Sequence, residues 1–209
     1  MQHTAFSSDH PRCGYPSQIS LLYAFMMAKR VAFMTIGALI APMGEPEVHG
    51  FLRRVGGVFD AADRGVGLIA RSERDMETLD PSWGNVEIPQ CFLSASTNPL
   101  QVPSTLSLWE DLESVAAFSY HGAHGEAVSK RTEWFQKLGL PGYVAWWVDE
   151  DVNRLVRSEA AERLDHLHIH GPTPFAFNFR QPFDADGIPI QLDPALVRAK
   201  VAENKLRWG

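Results

Sequence analysis

The chain predicts an α+β fold, an antiparallel sheet carrying helices on one face. Two observations point there. Short apolar or alternating runs recur along the chain, among them VAFMTIGALI at 31–40, TLSLW at 105–109 and GYVAWWV at 142–148. Stretches with the helical period separate several of these runs, so that two β-α-β halves flank a central pair of strands. The size agrees with this. At 209 residues, 45% hydrophobic and 21% charged, the chain is expected to be one globular domain with extensions.

The first run, 31–40, is apolar on both alternating faces and reads as a buried strand. Pro42 and Gly44 break it. Glu45, Pro46 and Glu47 then open a helix, with acids where the helix dipole favours them. Its inward positions are Val48, Phe51, Leu52, Val55, Val58, Phe59 and Ala62. Gly50, Gly56 and Gly57 lower its propensity and suggest close packing on a sheet. GVGLIA at 65–70 reads as a second strand and polar residues 71–85 as a loop. VEIPQCFLS at 86–94 reads as a third strand, placed at an edge or bulged by Pro89. The fourth, 105–109, sets Leu106 and Leu108 on one face against Thr105, Ser107 and Trp109 on the other.

Helical sequence follows from about Asp111 to Leu138, broken near 120–125 and ended by Gly139 and Pro141-Gly142. The fifth strand spans 142–148. A helix is expected from about Asn153 to His168, with Leu155, Val156, Ala160, Leu164 and Leu167 inward. FAFNF at 175–179 reads as a sixth strand with Phe175, Phe177 and Phe179 on one face. The order β-α-β-β-β-α-β-α-β is the ferredoxin-like pattern with additions. The domain is expected over 30–180, with an N-terminal extension at 1–29 and a C-terminal tail at 181–209 carrying a short helix near 194–206.

A formal net charge of −6 with no basic stripe argues against nucleic acid. The apolar run 19–28 is too short to span a bilayer and lacks the charge pattern of a secretory signal. Two distant cysteines, Cys13 and Cys91, make neither a disulfide framework nor a zinc site, and a cytoplasmic setting is expected. Nucleotide-binding glycine loops, the serine-hydrolase elbow and the His-Glu-x-x-His metal motif are absent from the sequence.

Positions 120, 124, 127, 131 and 134 are four and three apart, which on a helix aligns Tyr120, His124, Ala127, Arg131 and Trp134 on one stripe. A stripe facing a sealed core is apolar. This one mixes rings, an imidazole and a guanidinium around a small residue, as suits a helix lining a cavity.

Three segments, LSLWEDLESVAAFSYHGAHGEAVSKRTEWF, YVAWWV and RLDHLHIHGPTPFAFNF, resemble an uncharacterised domain-of-unknown-function family. So does VAFMTIGALIAPMGEPEVHGFLRRV. The resemblance covers roughly 30–180, with Tyr-x3-His, a Trp-Phe pair, Trp-Trp, Gly-Pro-Thr and Ala-Phe-x-Phe in order. That family looks like a member of the dimeric α+β barrel superfamily, which includes antibiotic-biosynthesis monooxygenases, cofactor-free oxygenases and cyclases, and haem enzymes. The resemblance implies a homodimer of ferredoxin-like sheets, with a pocket between each sheet and its helices. It does not fix a reaction.

His124 is the first candidate, as acid or base or as a haem ligand. Tyr120 is placed to orient it or donate a proton. Arg131 is placed to clamp an oxygen, or else to pair with Glu133, Asp151 or Glu162. Trp109, Trp134, Trp146, Trp147 and Phe177 are expected to shape an apolar site. Trp146 and Trp147 must point to opposite faces of their strand, one to the helices and the other to a partner sheet. His166, His168 and His170 alternate in a helix, where such positions diverge by about 200°, so no metal is expected. The leading expectation is a small-molecule enzyme of specialised metabolism. It would act without a cofactor on an apolar, cyclic or polyketide-like substrate, by oxygenation or by acid/base-driven cyclisation or isomerisation. A haem enzyme with His124 as ligand and a non-catalytic ligand-binding or stress-response module are the alternatives.

Overall fold

The structure is a computed structural model and describes residues 29–75 and 77–208. The N-terminal extension therefore lies outside the described residues, but for Lys29. Four strands form one sheet: β1 (Lys29–Ile36), β2 (Leu68–Arg71), β3 (Ser104–Trp109) and β4 (Tyr143–Asp149). Their order is β2-β3-β1-β4 and every neighbouring pair is antiparallel. Helix α1 (His49–Asp63) connects β1 to β2. Helices α2 (Leu112–Ser119) and α3 (Gly122–Ser129) connect β3 to β4. The result is an α+β fold whose strand order agrees with the ferredoxin-like expectation. Two further helices follow, α4 (Arg157–His170) and α5 (Pro194–Trp208).

Alternation along the strands sorts their side chains between two layers. Ala32 and Met34 of β1, Leu106 and Leu108 of β3, and Val144 and Trp146 of β4 form one face. They pack with Leu155, Phe92 and Val102, and with Ala160, Leu164 and Leu167 of α4. Val31, Phe33 and Trp109 lie on the other face, with Ala61 and Ala62 of α1 and Leu112, Val115 and Phe118 of α2. Both faces are thus covered within one chain. This corrects the expectation of helices on one face only. The apolar face that a second copy was expected to cover is already sealed by α4, where Ala32, Val144, Trp146 and Leu164 have no exposed surface.

Two expected strands do not form. At 86–94 the chain makes a 3₁₀ turn, Gln90–Phe92, because Pro89 offers no ladder donor. The Asp165 carboxylate accepts the Gln90 and Cys91 amides at 2.8 and 2.9 Å, taking the place of a neighbouring strand. Burial and Asp165 push the Cys91 thiol up to about 12, so it stays protonated. At 175–179 only Phe177 pairs with the sheet, exchanging both bonds with Ala145 at 2.9 and 3.0 Å. The three phenylalanines do not share a face: Phe175 packs outside on Arg163 and His166, Phe177 is buried, and Phe179 joins the cavity wall.

The segment after Arg180 is part of the folded structure. Helix α5 lies against α2, which is buried on nearly every side. Lys200 pairs with Asp111 at 3.0 Å, the Asn204 side chain accepts the Val66 amide at 2.8 Å, and the Trp208 indole donates to the Ala61 carbonyl at 2.9 Å.

A cavity between the sheet and its helices

On the α1 side, sheet and helices do not close completely. A cavity of about 1420 Å³ lies between them. Its floor is the outward row of the sheet, with Phe33, Thr35, Thr105, Ser107 and Trp109. The burial pattern of β3 marks the boundary: Ser104, Leu106 and Leu108 are buried, whereas Thr105 and Ser107 between them are half-exposed. The floor hydroxyls find partners within the sheet. Thr35 and Thr105 share a hydrogen bond at 2.7 Å, and the Ser107 hydroxyl accepts the Trp109 indole N–H at 2.8 Å.

Helix α1 forms one wall. Phe51, Val55 and Val58 carry the periodicity of a buried stripe, yet they remain half-buried because they face the void. Its glycines do not mark packing on the sheet. A side chain at Gly50 would meet the Trp134 ring at 2.7 Å, while Gly56 and Gly57 face open space. Trp134 belongs to a separate small core with Leu39, Met43 and Val48 that closes this end.

The second wall comes from the helical stretch 111–138, expected to break near 120–125. It breaks there, and a second time after Ser129. Helix α2 ends at Ser119, α3 restarts at Gly122, and Arg131–Glu133 is a 3₁₀ turn. Gly122 has a φ of +56°, and its missing side chain leaves room for the Trp208 ring, 2.3 Å from where a Cβ would sit. Even so, Tyr120, His124, Ala127, Arg131 and Trp134 all line the cavity.

His124 is half-buried, with its ring 4.9 Å from that of Phe118. Its Nδ1 lies 2.7 Å from the Ser119 carbonyl oxygen, which can only accept. Nδ1 therefore carries the hydrogen and Nε2 the lone pair. Burial holds the imidazole below its ordinary pKa, outweighing the opposite pull of that carbonyl. Tyr120 is mostly exposed, its hydroxyl 3.5 Å from that of Tyr143. Arg131 is exposed and donates to the Val128 carbonyl at 3.1 Å; it pairs with none of Glu133, Asp151 or Glu162.

Tyr143 escaped the sequence reading. It sits on the cavity side of β4, where its hydroxyl accepts the Phe179 amide at 3.3 Å, and burial raises its pKa well above the ordinary phenol value. Phe33, Tyr143, Phe179 and Tyr120 form a continuous aromatic wall with centroids 5.1–6.0 Å apart. The signal for this face lay in Thr35, Thr105 and Ser107, hydroxyls where a sealed core calls for apolar residues.

The remaining residues expected to bind substrate stand elsewhere. Trp146 lies on the α4 face, with Arg163 5.5 Å from its ring, so its own α4 fills the place expected of a partner sheet. Trp147 points to the opposite face, as alternation requires, and donates to the Phe183 carbonyl at 2.8 Å. Phe177 is sealed in the core beside it. His166 and His170 meet across one turn of α4 with rings 4.5 Å apart, and His166 bonds Thr173 at 3.0 Å. Among the described residues no group of three His, Cys, Asp or Glu is arranged to hold a metal ion, and no helix is long and apolar enough to cross a membrane.

No curated protein and no solved structure matches the chain. One uncharacterised family does, over residues 30–192 and with the segments quoted above inside the match; the chain belongs to that family, the Domain of unknown function (DUF3291).

Proposed function

We propose that the protein is a cytoplasmic small-molecule enzyme of the kind hosted by the dimeric α+β barrel superfamily, whose cavity takes an apolar, cyclic or polyketide-like substrate. The observation that carries this reading is His124. Its Nδ1–H is committed to the Ser119 carbonyl, its Nε2 is left as a base, and its ring lines a cavity with aromatic walls and a hydroxyl floor. Two groups with opposed tendencies meet in this cavity. Burial keeps His124 neutral and basic, and it keeps Tyr143 protonated as a donor. His124 removes a proton from an acidic carbon or phenol, and Tyr143 with Tyr120 donates to the oxygen where charge develops. Arg131, at the rim, faces the same space. Such an arrangement supports cyclisation or isomerisation, or formation of a carbanion that reacts with oxygen without a cofactor. The homodimer implied by the resemblance has to be built on surfaces other than the α4 face.

The test is turnover of a panel of phenols, naphthols and cyclic polyketide-like ketones, read by product mass and oxygen consumption. His124→Ala is expected to lower kcat by about 10²–10⁴-fold. Turnover that survives this substitution overturns the mechanism.

One observation favours a second reading, a haem enzyme. An imidazole whose Nδ1–H is held by a carbonyl while Nε2 stays free has the arrangement of a ligating histidine, and the cavity beside it is large. His124 would hold the haem iron through its free ring nitrogen, and the haem would supply the oxidative chemistry. A preparation that develops no Soret band with haemin excludes this reading.

A further inference from the structure

The first turn of α4 holds a buried positive charge that no carboxylate bonds. Arg157, its first residue, is 6% exposed. Its guanidinium donates to the Ser104 hydroxyl at 3.2 Å and to the Ser82 carbonyl at 3.1 Å. Both acceptors are neutral, and the buried Nε has no partner. Arg74 and Arg154 stand close enough to add repulsion; burial first, and these two charges next, bring the Arg157 guanidinium down to about 10, still charged at neutral pH. Asp80 is the acid that acts on Arg74, and Glu159 is taken by Arg163 at 2.7 Å. The helix itself adds to the field, since Val156 caps α4 without a side-chain acceptor for its first amides. A buried guanidinium among neutral acceptors and like charges is costly unless an anion pairs with it.

We propose that this is an oxyanion site, in which Arg157, Arg154 and Arg74 take the carboxylate or phosphate group of a small-molecule ligand. Ser72, Arg74 and Ser104 line the large cavity, so the body of that ligand can lie inside it. Arg74 lines the same cavity as His124, and Arg157 meets its wall through the Ser104 hydroxyl; the site does not depend on the chemistry assigned to His124.

The test follows thermal unfolding of the full chain at constant ionic strength, with chloride replaced by inorganic phosphate or, separately, by benzoate. A saturable rise in Tm of about 3–6 °C is expected at ten times the Kd. A response to phosphate alone identifies a phosphate-bearing ligand, and one to benzoate a carboxylate. Arg154 is exposed, so Arg154→Ala should fold normally and weaken the response about tenfold. Arg157→Gln should abolish the response and leave the anion-free Tm equal or higher, because a buried uncompensated charge is gone. A wild-type Tm that moves no more than in chloride overturns the proposal. So does a full response retained by Arg154→Ala and Arg157→Gln alike.

Discussion

The two faces of the sheet are built from the same three strands and have opposite fates. Toward α4, the alternate residues Ala32, Met34, Leu106, Leu108, Val144 and Trp146 are apolar and at most 1% exposed. Toward α1 and α3, the same strands offer Thr35, Thr105, Ser107 and Tyr143 between Phe33 and Trp109, and the helices stand off to leave a cavity. The difference is one of side-chain chemistry at alternate positions. Hydroxyls that pair with one another need no covering layer, and helix positions such as Ala127 and Val55 are too small to fill the gap. One face holds the fold together, and the other is free to bind.

That contrast breaks most visibly under truncation. Leu164 has no exposed surface and packs in the sealed layer. Leu164→Ala leaves a hole there, and a loss of about 2–5 kcal/mol is expected by urea unfolding. Val55→Ala removes methyl groups that border an existing void and places a better helix former in α1. It is expected to cost less than about 1 kcal/mol while enlarging the ligand space. Equal losses for the two variants would mean that the cavity face is as tightly packed as the other.

Much of this was legible in the sequence, and the failures are instructive. β1, β3 and β4 came through because short apolar or alternating runs agree there with the tertiary structure. FAFNF at 175–179 has the same pattern but too little chain beside it to extend a ladder, so it contributes one bridge. VEIPQCFLS is apolar enough for a strand, yet Pro89 and the distant Asp165 turn it into a 3₁₀ segment. The inward residues Ala160, Leu164 and Leu167 of α4 were correct, but periodicity does not say which layer a helix packs on. Val156, expected inward, caps the helix and is 58% exposed. The stripe from Tyr120 to Trp134 led to the cavity although the helix is broken at Gly122 and after Ser129. The turns keep those side chains on one side even where the helical ladder stops.

A smaller effect separates His124 from the sealed face by pH. Its folded pKa lies below the ordinary histidine value of about 6.5, so the unfolded chain binds this proton more readily than the folded one. Stability from this group is present above about pH 6.5 and is lost as the pH falls from there toward the lowered folded value. Urea unfolding at pH 7.5 and at pH 5.5 should show a drop in the wild type that His124→Gln reduces. A drop of the same size in both would assign the pH dependence to other groups and leave His124 as accessible to protons as in the unfolded chain.

The smallest expected change in stability carries the most information about binding. Thr35 and Thr105 face each other at 2.7 Å on the cavity floor. Replacing both with valine keeps their shape and removes both partners of the bond together, which leaves neither hydroxyl orphaned. The double variant should unfold within about 1 kcal/mol of the wild type, or slightly later. On the sealed face such a swap has no counterpart, because among the described residues no two hydroxyls pair with each other there. If the floor is a binding surface, Thr35→Val/Thr105→Val should weaken an oxygen-bearing ligand such as a naphthol while sparing a hydrocarbon of the same size. Loss of affinity for both would mean that the pair shapes the cavity. Unchanged affinity for both would mean that the hydroxyls serve only each other, and that recognition rests on the aromatic wall of Phe33, Tyr143 and Phe179.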